Sequence, residues 1–344
     1  MKIIITGATG FVGAHLTRYF SELGHDVLAL GRASKPPKRL LDFAQYKAVN
    51  WSEKMPILDG DVVIHAAALA SDSAAYRDLY AANVEGTRHL VAATEGVKNF
   101  IMISSSSVYA YRDNKIKVES DAGKDFDFLT DYGKTKWLSE QVLLETKNPN
   151  QRRLIVRPRA IYGVGDRVIL PRLLGMVKGN NFMMIGKMDK QTSQTNVKQI
   201  SALINYFIGD LINSDLIKSE LINAQLIKKQ TLITNLADKK PYKMGDSIHE
   251  LLSLLTDKQL NKRELPISIL KLIAQLKLSK KITKFLIDAV TYDCVLDLSY
   301  LQTFYEIPNE LNLQNESINL KNWLKTLGNT EGYLKNVEDA PWLI

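Results

Sequence analysis

The sequence predicts an α/β protein built on a doubly wound parallel sheet of Rossmann type, with a smaller, mostly helical C-terminal substrate region. Short β-rich runs alternate with helical patterns through the first half, and a glycine-rich turn follows the first run. The pattern becomes mostly helical after Gly163-Val164-Gly165-Asp166. We therefore predict one domain over residues 1–165 and a second region over 166–344, and we allow later segments to return to the sheet.

The predicted elements follow the chain in order. The strands are short runs rich in apolar and β-branched residues, namely Lys2–Thr6, Asp26–Leu30, Ala48–Asn50, Asp61–His65, Asn99–Ser104 and Arg153–Arg157. Apolar residues at helical spacing from Phe11 to Leu23, stopped by Gly24, predict the first helix. Tyr76–Glu95 and Asp131–Glu145 predict longer helices. Strand-like pieces in the C-terminal half are Leu232–Leu236 and Cys294–Leu298.

Composition limits the classes of function. The 344 residues carry a formal net charge of +8, but the lysines are dispersed and no arginine-rich run appears, so we expect no nucleic-acid partner. The single cysteine, Cys294, excludes an intrachain disulfide and fits a reducing compartment. The apolar run before Gly7 is too short for a secretory signal, and no stretch approaches the ~20 apolar residues of a membrane-spanning helix. We therefore expect a cytoplasmic protein.

A glycine-rich loop, Thr6–Gly13, connects the first predicted strand to the first predicted helix. Glycine permits the tight turn, the close approach of backbone to a pyrophosphate, and close packing of helix on strand. The helix N-terminus offers free N–H groups to phosphates. An ordinary glycine-rich turn would not need a strand before it and a helix after it. We therefore predict a dinucleotide site at Gly7, Thr9, Gly10, Phe11, Val12 and Gly13.

The end of the second predicted strand distinguishes NADP from NAD. Gly31 stands where an acidic residue would bind the ribose 2′-hydroxyl of NAD, and the next residue, Arg32, can bind a 2′-phosphate. The alternative is that Arg32 is a solvated loop residue. We predict NADP as the preferred cofactor and NAD as the other possibility.

Tyr132 and Lys136 lie four residues apart at the start of a predicted helix, and therefore on one face. An ammonium beside a phenol favours the phenolate, so Lys136 can make Tyr132 a usable acid or base. A serine run, Ser104–Ser107, follows an apolar strand, at the edge where open α/β sheets bind ligands. The tyrosine–lysine spacing is common on helix surfaces; the serine run and the glycine loop favour a catalytic site.

In this order the motifs resemble those of the extended short-chain dehydrogenase/reductases, the NAD-dependent epimerase/dehydratase group. The segments that carry the resemblance are Thr6–Gly13, Asp61–Ala67, Asn83–Thr87, Ser104–Tyr109, Tyr132–Lys136 and Arg157–Gly163. The resemblance implies that Tyr132 is the general acid/base, and that Lys136 lowers its pKa and holds the nicotinamide ribose. It also implies that Ser105 supplies the catalytic hydroxyl, with Ser106 as the alternative.

The same resemblance implies further cofactor contacts and an assembly. Ala66 and Ala67 would line the cofactor, with Asp61 near the adenine and Asn83 behind the nucleotide. Pro158 and Ile161 complete the implied cofactor residues. A homodimer through the helices that carry Asn83 and Tyr132 is expected, and no metal is.

Three differences from the usual motifs of the family indicate which of its branches the chain resembles. Ser106 and Ser107 replace the Asp-Glu pair of sugar-nucleotide dehydratases, and Ala160 replaces an asparagine that helps hold nucleotide sugars. The segment Arg157–Gly163, with Ile282–Leu286 leading to Val295–Ser299, is more similar to the 3β-hydroxysteroid dehydrogenase-like branch.

The resemblance implies an NAD(P)-dependent oxidoreductase that interconverts a carbonyl and an alcohol on a small or apolar substrate. The alternative is a nucleotide-sugar epimerase that uses the same triad and keeps its cofactor bound. A non-catalytic dinucleotide sensor is the third hypothesis. It ranks last because such proteins tend to lose the tyrosine or the lysine, and both are present here.

One further segment, Leu265–Val290, combines dense apolar residues with flanking lysines. Such a segment can lie on a membrane surface or cover a substrate pocket. Because Gln275, Ser279 and two lysines interrupt it, we expect helices packed within the C-terminal region, not a membrane anchor.

Overall fold

The computed structural model describes residues 1–71, 73–212, 230–268 and 284–343. Its strands are β1 (Lys2–Thr6), β2 (Asp26–Gly31), β3 (Gln45–Ala48), β4 (Val62–His65), β5 (Asn99–Ile103), β6 (Arg152–Pro158), β7 (Ile161–Tyr162), β8 (Val177–Lys178), β9 (Asn181–Ile185), β10 (Gln191–Thr192), β11 (Thr195–Asn196), β12 (Thr231–Leu236), β13 (Tyr242–Lys243) and β14 (Asn261–Leu265). The first helices are α1 (Phe11–Glu22), α2 (Tyr76–Tyr80), α3 (Gly86–Ala93), α4 (Asp131–Glu145), α5 (Ile169–Leu174) and α6 (Val197–Ile212). Later helices span Met244–Thr256, Lys284–Thr291, Ser299–Gln302, Leu313–Thr326 and Asn329–Lys335.

The central sheet has seven parallel strands in the order β12-β6-β5-β4-β1-β2-β3. The predicted fold class is confirmed. The chain order reverses at β1, which has β2 on one side and β4 on the other. In open parallel sheets ligands bind beside the carboxyl ends of the strands at such a reversal. The topology therefore places the candidate site at the ends of β1, β2 and β4.

Both faces of the central sheet are covered. Ile3 and Ile5 of β1 pack in a cluster with side chains of α1 and α6, whereas Ile4 packs in a second cluster with Leu90 of α3 and Leu143 of α4. Successive side chains of a strand point to opposite faces, so a strand buried on both sides is apolar at every position. This explains why the run Ile3-Ile4-Ile5 is uninterrupted.

The C-terminal half has a core of its own, which includes Phe182, Leu252, Trp323 and Tyr333. Besides helices it contains small sheets, one of them ordered β14-β9-β8. One later segment does return to the central sheet, because β12 pairs in parallel with β6. The division at residue 165 stays a prediction.

The third strand differs from its predicted position. The sequence pattern gave Ala48–Asn50, and the structure has Gln45–Ala48. This strand lies at the sheet edge, where Gln45, Lys47 and Ala48 are exposed. A solvated edge strand needs no apolar alternation, so its position left no clear hydrophobic signal.

The predicted helix Tyr76–Glu95 is divided by a π-helical turn over Ala81–Glu85. The carbonyl of Asn83 in this turn accepts hydrogen bonds from the hydroxyls of Thr87 and Ser139. Such turns occur frequently at functional sites.

The prediction for Leu265–Val290 falls largely on residues 269–283, which lie outside the described residues. Among the described ranges, no helix has both the length and the apolar character needed to cross a bilayer. Cys294 is buried, but its segment forms isolated bridges to Thr192 and Lys117 instead of the predicted strand.

Candidate active site

The loop between β1 and α1 forms a backbone cradle. The Gly10 amide donates to the carbonyl of Gly7 at 2.8 Å, and the Trp342 indole donates to the carbonyl of Ala8 at 3.2 Å. A Cβ at Gly13 would lie 2.1 Å from the Gly7 carbonyl oxygen, so only glycine lets α1 pack this closely on the loop. The N-terminus of α1 and the adjoining glycine loop fit the phosphates of a dinucleotide.

A cleft of about 640 Å³ opens at the carboxyl ends of β1, β2 and β4. The predicted cofactor residues that line it are Gly7, Thr9, Gly10, Arg32, Ala66 and Ala67. Sequence reasoning missed other lining residues, which include Val49, Asn50, Trp51 and Ser52 after β3, Asp78 of α2, and Arg167. Residues 49–52 could have been predicted as cleft residues because they follow the end of β3. The sequence pattern placed this strand too late in the chain, so they were not recognised.

Arg167 brings a cation to the phosphate loop from beyond the predicted domain boundary. Its guanidinium lies 3.9 Å from the position that a Cβ would take at Gly10, and it pairs with Glu338 at 3.3 Å. Glu338 is highly exposed, so this ion pair is weak and leaves Arg167 available to a phosphate.

Asp61 requires a correction. It precedes β4 at the amino edge of the sheet, where its carboxylate accepts a hydrogen bond from the Lys2 amide at 2.8 Å. The cleft lies at the other end of β4, so Asp61 cannot be the adenine residue. The remaining predicted cofactor residues that do not line the cleft are Phe11, Val12, Gly13, Asn83, Tyr132, Lys136, Pro158 and Ile161.

Asn83 supports the cleft from behind. It is 2% exposed, its carboxamide oxygen accepts from the Leu69 amide at 2.7 Å, and its nitrogen donates to the Thr135 hydroxyl at 3.0 Å. These two hydrogen bonds fix the cleft-lining loop after β4 to helix α4. The side chain therefore positions the loop and does not line the cleft itself.

Helix α4 begins directly against the serine run. Thr130 caps the helix by accepting from the Gly133 amide at 3.0 Å, and a Cβ at Gly133 would lie 2.2 Å from the Ser107 carbonyl oxygen. Tyr132 lies between Thr130 and Gly133 in the sequence, and therefore in the first turn of α4, next to the serine run. Ser105 is half-buried and its hydroxyl lies 3.1 Å from that of Ser107.

The ammonium of Lys136 is buried at the end of β5. The side chain is 2% exposed, and Nζ donates to the carbonyl of Ile103 at 2.9 Å. Burial lowers the pKa of Lys136 to about 8, although the nearby Glu140 carboxylate acts in the opposite direction. Burial, together with the charge of Lys136, lowers the pKa of His65 to about 3, so His65 stays neutral. The structure thus places the ammonium of Lys136 at the end of β5, directly before the serine run, and packs the first turn of α4, which contains Tyr132, against Ser107.

A buried ion pair lies one helical turn beyond Lys136. Glu140 is fully buried and accepts two hydrogen bonds from Arg157, at 3.0 and 2.6 Å, and a third from the Ser104 hydroxyl. Arg157 also donates to the Tyr109 hydroxyl at 3.1 Å. Sequence reasoning missed Glu140, although it continues the four-residue spacing of Tyr132 and Lys136.

A pH dependence follows from the lowered pKa of Lys136. The predicted acid/base role of Tyr132 requires the ammonium form of Lys136, and this form is lost as the pH rises through about 8. We expect kcat/KM for carbonyl reduction to decline above about pH 8, measured as a pH–rate profile. Circular dichroism at each pH controls for unfolding. A rate that stayed constant from pH 7 to pH 10 would contradict the assignment of Lys136.

Two smaller cavities adjoin the serine run. One of about 240 Å³ is lined by Ser107 and Thr130, and by aromatic and basic residues. A second, of about 130 Å³, is mainly apolar, and Arg159 lines both. The residue after Arg159, Ala160, has a backbone φ of +44°. This is a left-handed conformation that asparagine adopts more readily than alanine. Among the described residues no cluster of three or more His, Cys, Asp or Glu side chains could hold a metal ion.

Comparison with known proteins identifies the family. The NAD dependent epimerase/dehydratase family model matches residues 3–208, which is more than half of the chain. The chain belongs to this family. The predicted family is therefore confirmed, and the glycine loop, the serine run and helix α4 all lie within the matched residues.

Relatives in the family act in more than one way. The chain is 30% identical over 196 residues to a 2-alkyl-3-oxoalkanoate reductase of Stenotrophomonas maltophilia (54% of this chain, 58% of the relative). It is 32% identical over 214 residues to N-acetyl-alpha-D-glucosaminyl-diphospho-ditrans,octacis-undecaprenol 4-epimerase of Escherichia coli O157:H7 (60% and 62%). A 3 beta-hydroxysteroid dehydrogenase/Delta 5-->4-isomerase of Mycobacterium tuberculosis is 28% identical over 221 residues (60% and 59%). The chain thus spans about three-fifths of the length of these curated relatives.

Solved structures show the same fold over nearly the whole chain. UDP-glucuronic acid 4-epimerase from Bacillus cereus, solved in complex with NAD, superposes with a TM-score of 0.67 at 20% identity. The match covers 96% of this chain and 98% of that protein. At this identity the similarity establishes the fold.

Proposed function

We propose that the protein is an NAD(P)-dependent oxidoreductase that interconverts a carbonyl and an alcohol. One observation carries the proposal: the ammonium of Lys136 is buried against the carbonyl of Ile103 at the end of β5, and Gly133, the neighbour of Tyr132 in the first turn of α4, packs on the carbonyl of Ser107. The dinucleotide cleft opens at the same edge of the sheet.

The chain's residues have separate tasks in this reaction. When bound, the nicotinamide cofactor supplies or accepts the hydride. Tyr132 donates a proton to the substrate oxygen during reduction and removes it during oxidation. Lys136 stabilises the phenolate of Tyr132, and Ser105 donates a hydrogen bond to the substrate oxygen as negative charge develops there. Ser105 is favoured over Ser106 because Ser106 is 3% exposed, whereas Ser105 is half-buried.

The relatives support both a reductase and an epimerase, since each activity is named among them. We favour the reductase because Ala160 stands at the position of the asparagine that holds nucleotide sugars in the family. A cavity of about 240 Å³ beside the serine run also favours a small substrate. The proposed homodimer rests on the resemblance alone, and the proposed cytoplasmic location rests on the single cysteine and on the apolar runs of the sequence.

A substrate screen tests the proposal. NADPH or NADH absorbance is followed with ketones, aldehydes and 3-oxo acids, and nucleotide sugars are assayed for epimerisation in parallel. Oxidation of NAD(P)H by carbonyl compounds supports the reductase. Epimerisation of a nucleotide sugar without net NAD(P)H consumption would replace it with the alternative.

We further propose that NADP(H) binds more tightly than NAD(H), because Arg32 lines the cleft beside Gly31, where the acidic partner of NAD is missing. Arg32→Ala is expected to weaken NADPH binding by about tenfold and to leave NADH binding unchanged, as measured by fluorescence titration. Lys35→Ala, which removes a neighbouring charge that does not line the cleft, is the control. Equal binding of both cofactors by the unaltered protein would refute the preference.

A further inference from the structure

We infer that Arg159 and Tyr111 form a subsite for a carboxylate of the substrate, so that the protein acts on an oxo acid or the corresponding hydroxy acid. The inference rests on the proposed function and adds a substrate class to it. The evidence is the unusual state of these two buried side chains.

Arg159 is a buried cation that has no anionic partner among the side chains that the structure describes. It is 7% exposed, its Nε donates to the Thr192 hydroxyl at 3.3 Å, and its guanidinium carbon lies 4.7 Å from the centroid of the Tyr111 ring. No Asp or Glu of the described residues forms an ion pair with it, whereas Arg157, two residues earlier, is held by Glu140. A buried charge is costly unless it is paired, so the missing anion is expected to arrive with a ligand.

Tyr111 presents a second donor to the same place. Its side chain is 9% exposed and lines the 240 Å³ cavity together with Arg159. Its hydroxyl is buried near the Ser106 hydroxyl and the Arg159 guanidinium, but it forms no well-aligned hydrogen bond with a described residue. Unpartnered buried donors are rare in native proteins, and this one lies beside an arginine.

The cavity itself suits an anion. None of the lining residues that the structure describes is acidic, and a second cation, Arg112, lies at the cavity surface with its guanidinium 3.5 Å from the Phe128 ring centroid. A guanidinium with an adjacent hydroxyl can bind the two oxygens of a carboxylate. The volume of about 240 Å³ is below the ~300–1,000 Å³ of pockets that enclose drug-sized ligands, which favours a small acid over a nucleotide sugar.

The subsite adjoins the proposed catalytic groups. Ser107 lines the cavity and hydrogen-bonds Ser105, and Thr130, which also lines it, caps α4 two residues before Tyr132. A carboxylate at Arg159 therefore directs the rest of a short oxo acid along the cavity wall that carries these groups. The adjoining apolar cavity of about 130 Å³ can take a hydrocarbon chain.

The test compares an acid with its neutral ester. We expect the unaltered protein to reduce 3-oxohexanoate with a higher kcat/KM than methyl 3-oxohexanoate. Arg159→Met should lower kcat/KM for the acid by about 30-fold or more and change that for the ester by less than about threefold. Tyr111→Phe should lower only the value for the acid, by about tenfold. Arg152→Met removes the same charge at the amino end of β6, whereas Arg159 follows the carboxyl end of β6; this variant is the control and should change neither value.

Binding measurements separate this inference from the proposed function. Calorimetric titration with hexanoate and hexanamide in the presence of NADP needs no turnover. If hexanoate binds and Arg159→Met abolishes its binding while no carbonyl compound is reduced, the oxidoreductase proposal fails and the subsite stands. Equal losses for acid and ester would overturn the subsite. So would UDP-glucose binding that depends on Arg159 in a protein that does not bind hexanoate. Arg159→Lys, which retains the cation, should keep part of the hexanoate affinity if Arg159→Met fails to fold.

Discussion

Replacing Tyr132 with phenylalanine is expected to lower the turnover of a carbonyl substrate by about 10²–10⁴-fold, the usual contribution of general acid–base catalysis. Reduction places negative charge on the substrate oxygen, and the phenol at the start of α4 is the group proposed to deliver a proton there. Tyr132→Phe removes the hydroxyl and keeps the ring. Steady-state kinetics on a substrate identified by the screen measures the loss, and NADPH titration should show nearly unchanged affinity.

Variants of other residues show whether the loss of turnover is specific to the Tyr132 hydroxyl. Lys136→Ala should reduce both the rate and the affinity for the cofactor, because Lys136 is proposed to serve both. Ser105→Ala should cost less than Tyr132→Phe, since it removes only one hydrogen bond to the developing charge. Tyr76→Phe removes a hydroxyl from an exposed tyrosine and should leave the rate unchanged. Near-native turnover by Tyr132→Phe would overturn the mechanism and favour a dinucleotide sensor.

Glu140→Gln is expected to lower the free energy of unfolding by about 3–5 kcal/mol. The substitution keeps the shape of the side chain but leaves the guanidinium of Arg157 buried without its counter-ion, and breaking one side of a buried pair costs this much. Urea denaturation followed by circular dichroism measures the change. The matched control is Glu331→Gln, which breaks an exposed pair with Lys335 and should cost less than about 1 kcal/mol.

A double variant separates the ion pair from packing. Arg157→Met in the Glu140→Gln background removes the orphaned charge and should recover part of the lost stability. Because the carboxylate of Glu140 raises the pKa of Lys136, the activity of Glu140→Gln should also decline at a lower pH than that of the unaltered protein. If Glu140→Gln were as stable as Glu331→Gln, the buried pair would not be a major support of the fold.

The sequence predicted those parts of the molecule that rest on local pattern. The fold class and the element boundaries of β1 and α4 follow from apolar runs, glycine positions and helical spacing, because these signals lie within a few residues of each other. The third strand was misplaced because an exposed edge strand has no such signal. Asp61 was assigned to the adenine although it precedes β4 and the cleft lies at the carboxyl end of that strand. A sequence motif gives the order of residues, but it does not show at which edge of the sheet each residue lies.

The missed site residues depend on contacts between distant parts of the chain. Arg167 reaches the phosphate loop only because the later segment folds over it. The roles of Glu140 and Arg159 depend on whether an oppositely charged group lies nearby in space. The spacing of residues along the sequence does not show this. One described carboxylate neutralises Arg157 and none neutralises Arg159, although the two arginines lie two positions apart.

The hydrogen bond from Trp342 to the carbonyl of Ala8 has a consequence for the order of folding during synthesis. It joins residues 334 positions apart, and the ring of Trp342 is buried in the same cluster as Ile3 and Ile5 of β1. A chain emerging from the ribosome exposes its phosphate loop 334 residues before the residue that supports this loop. Contacts of such long range form slowly, because the intervening chain must first be ordered. The nascent protein is therefore expected to acquire its cofactor-binding capacity only after Trp342 has been synthesised.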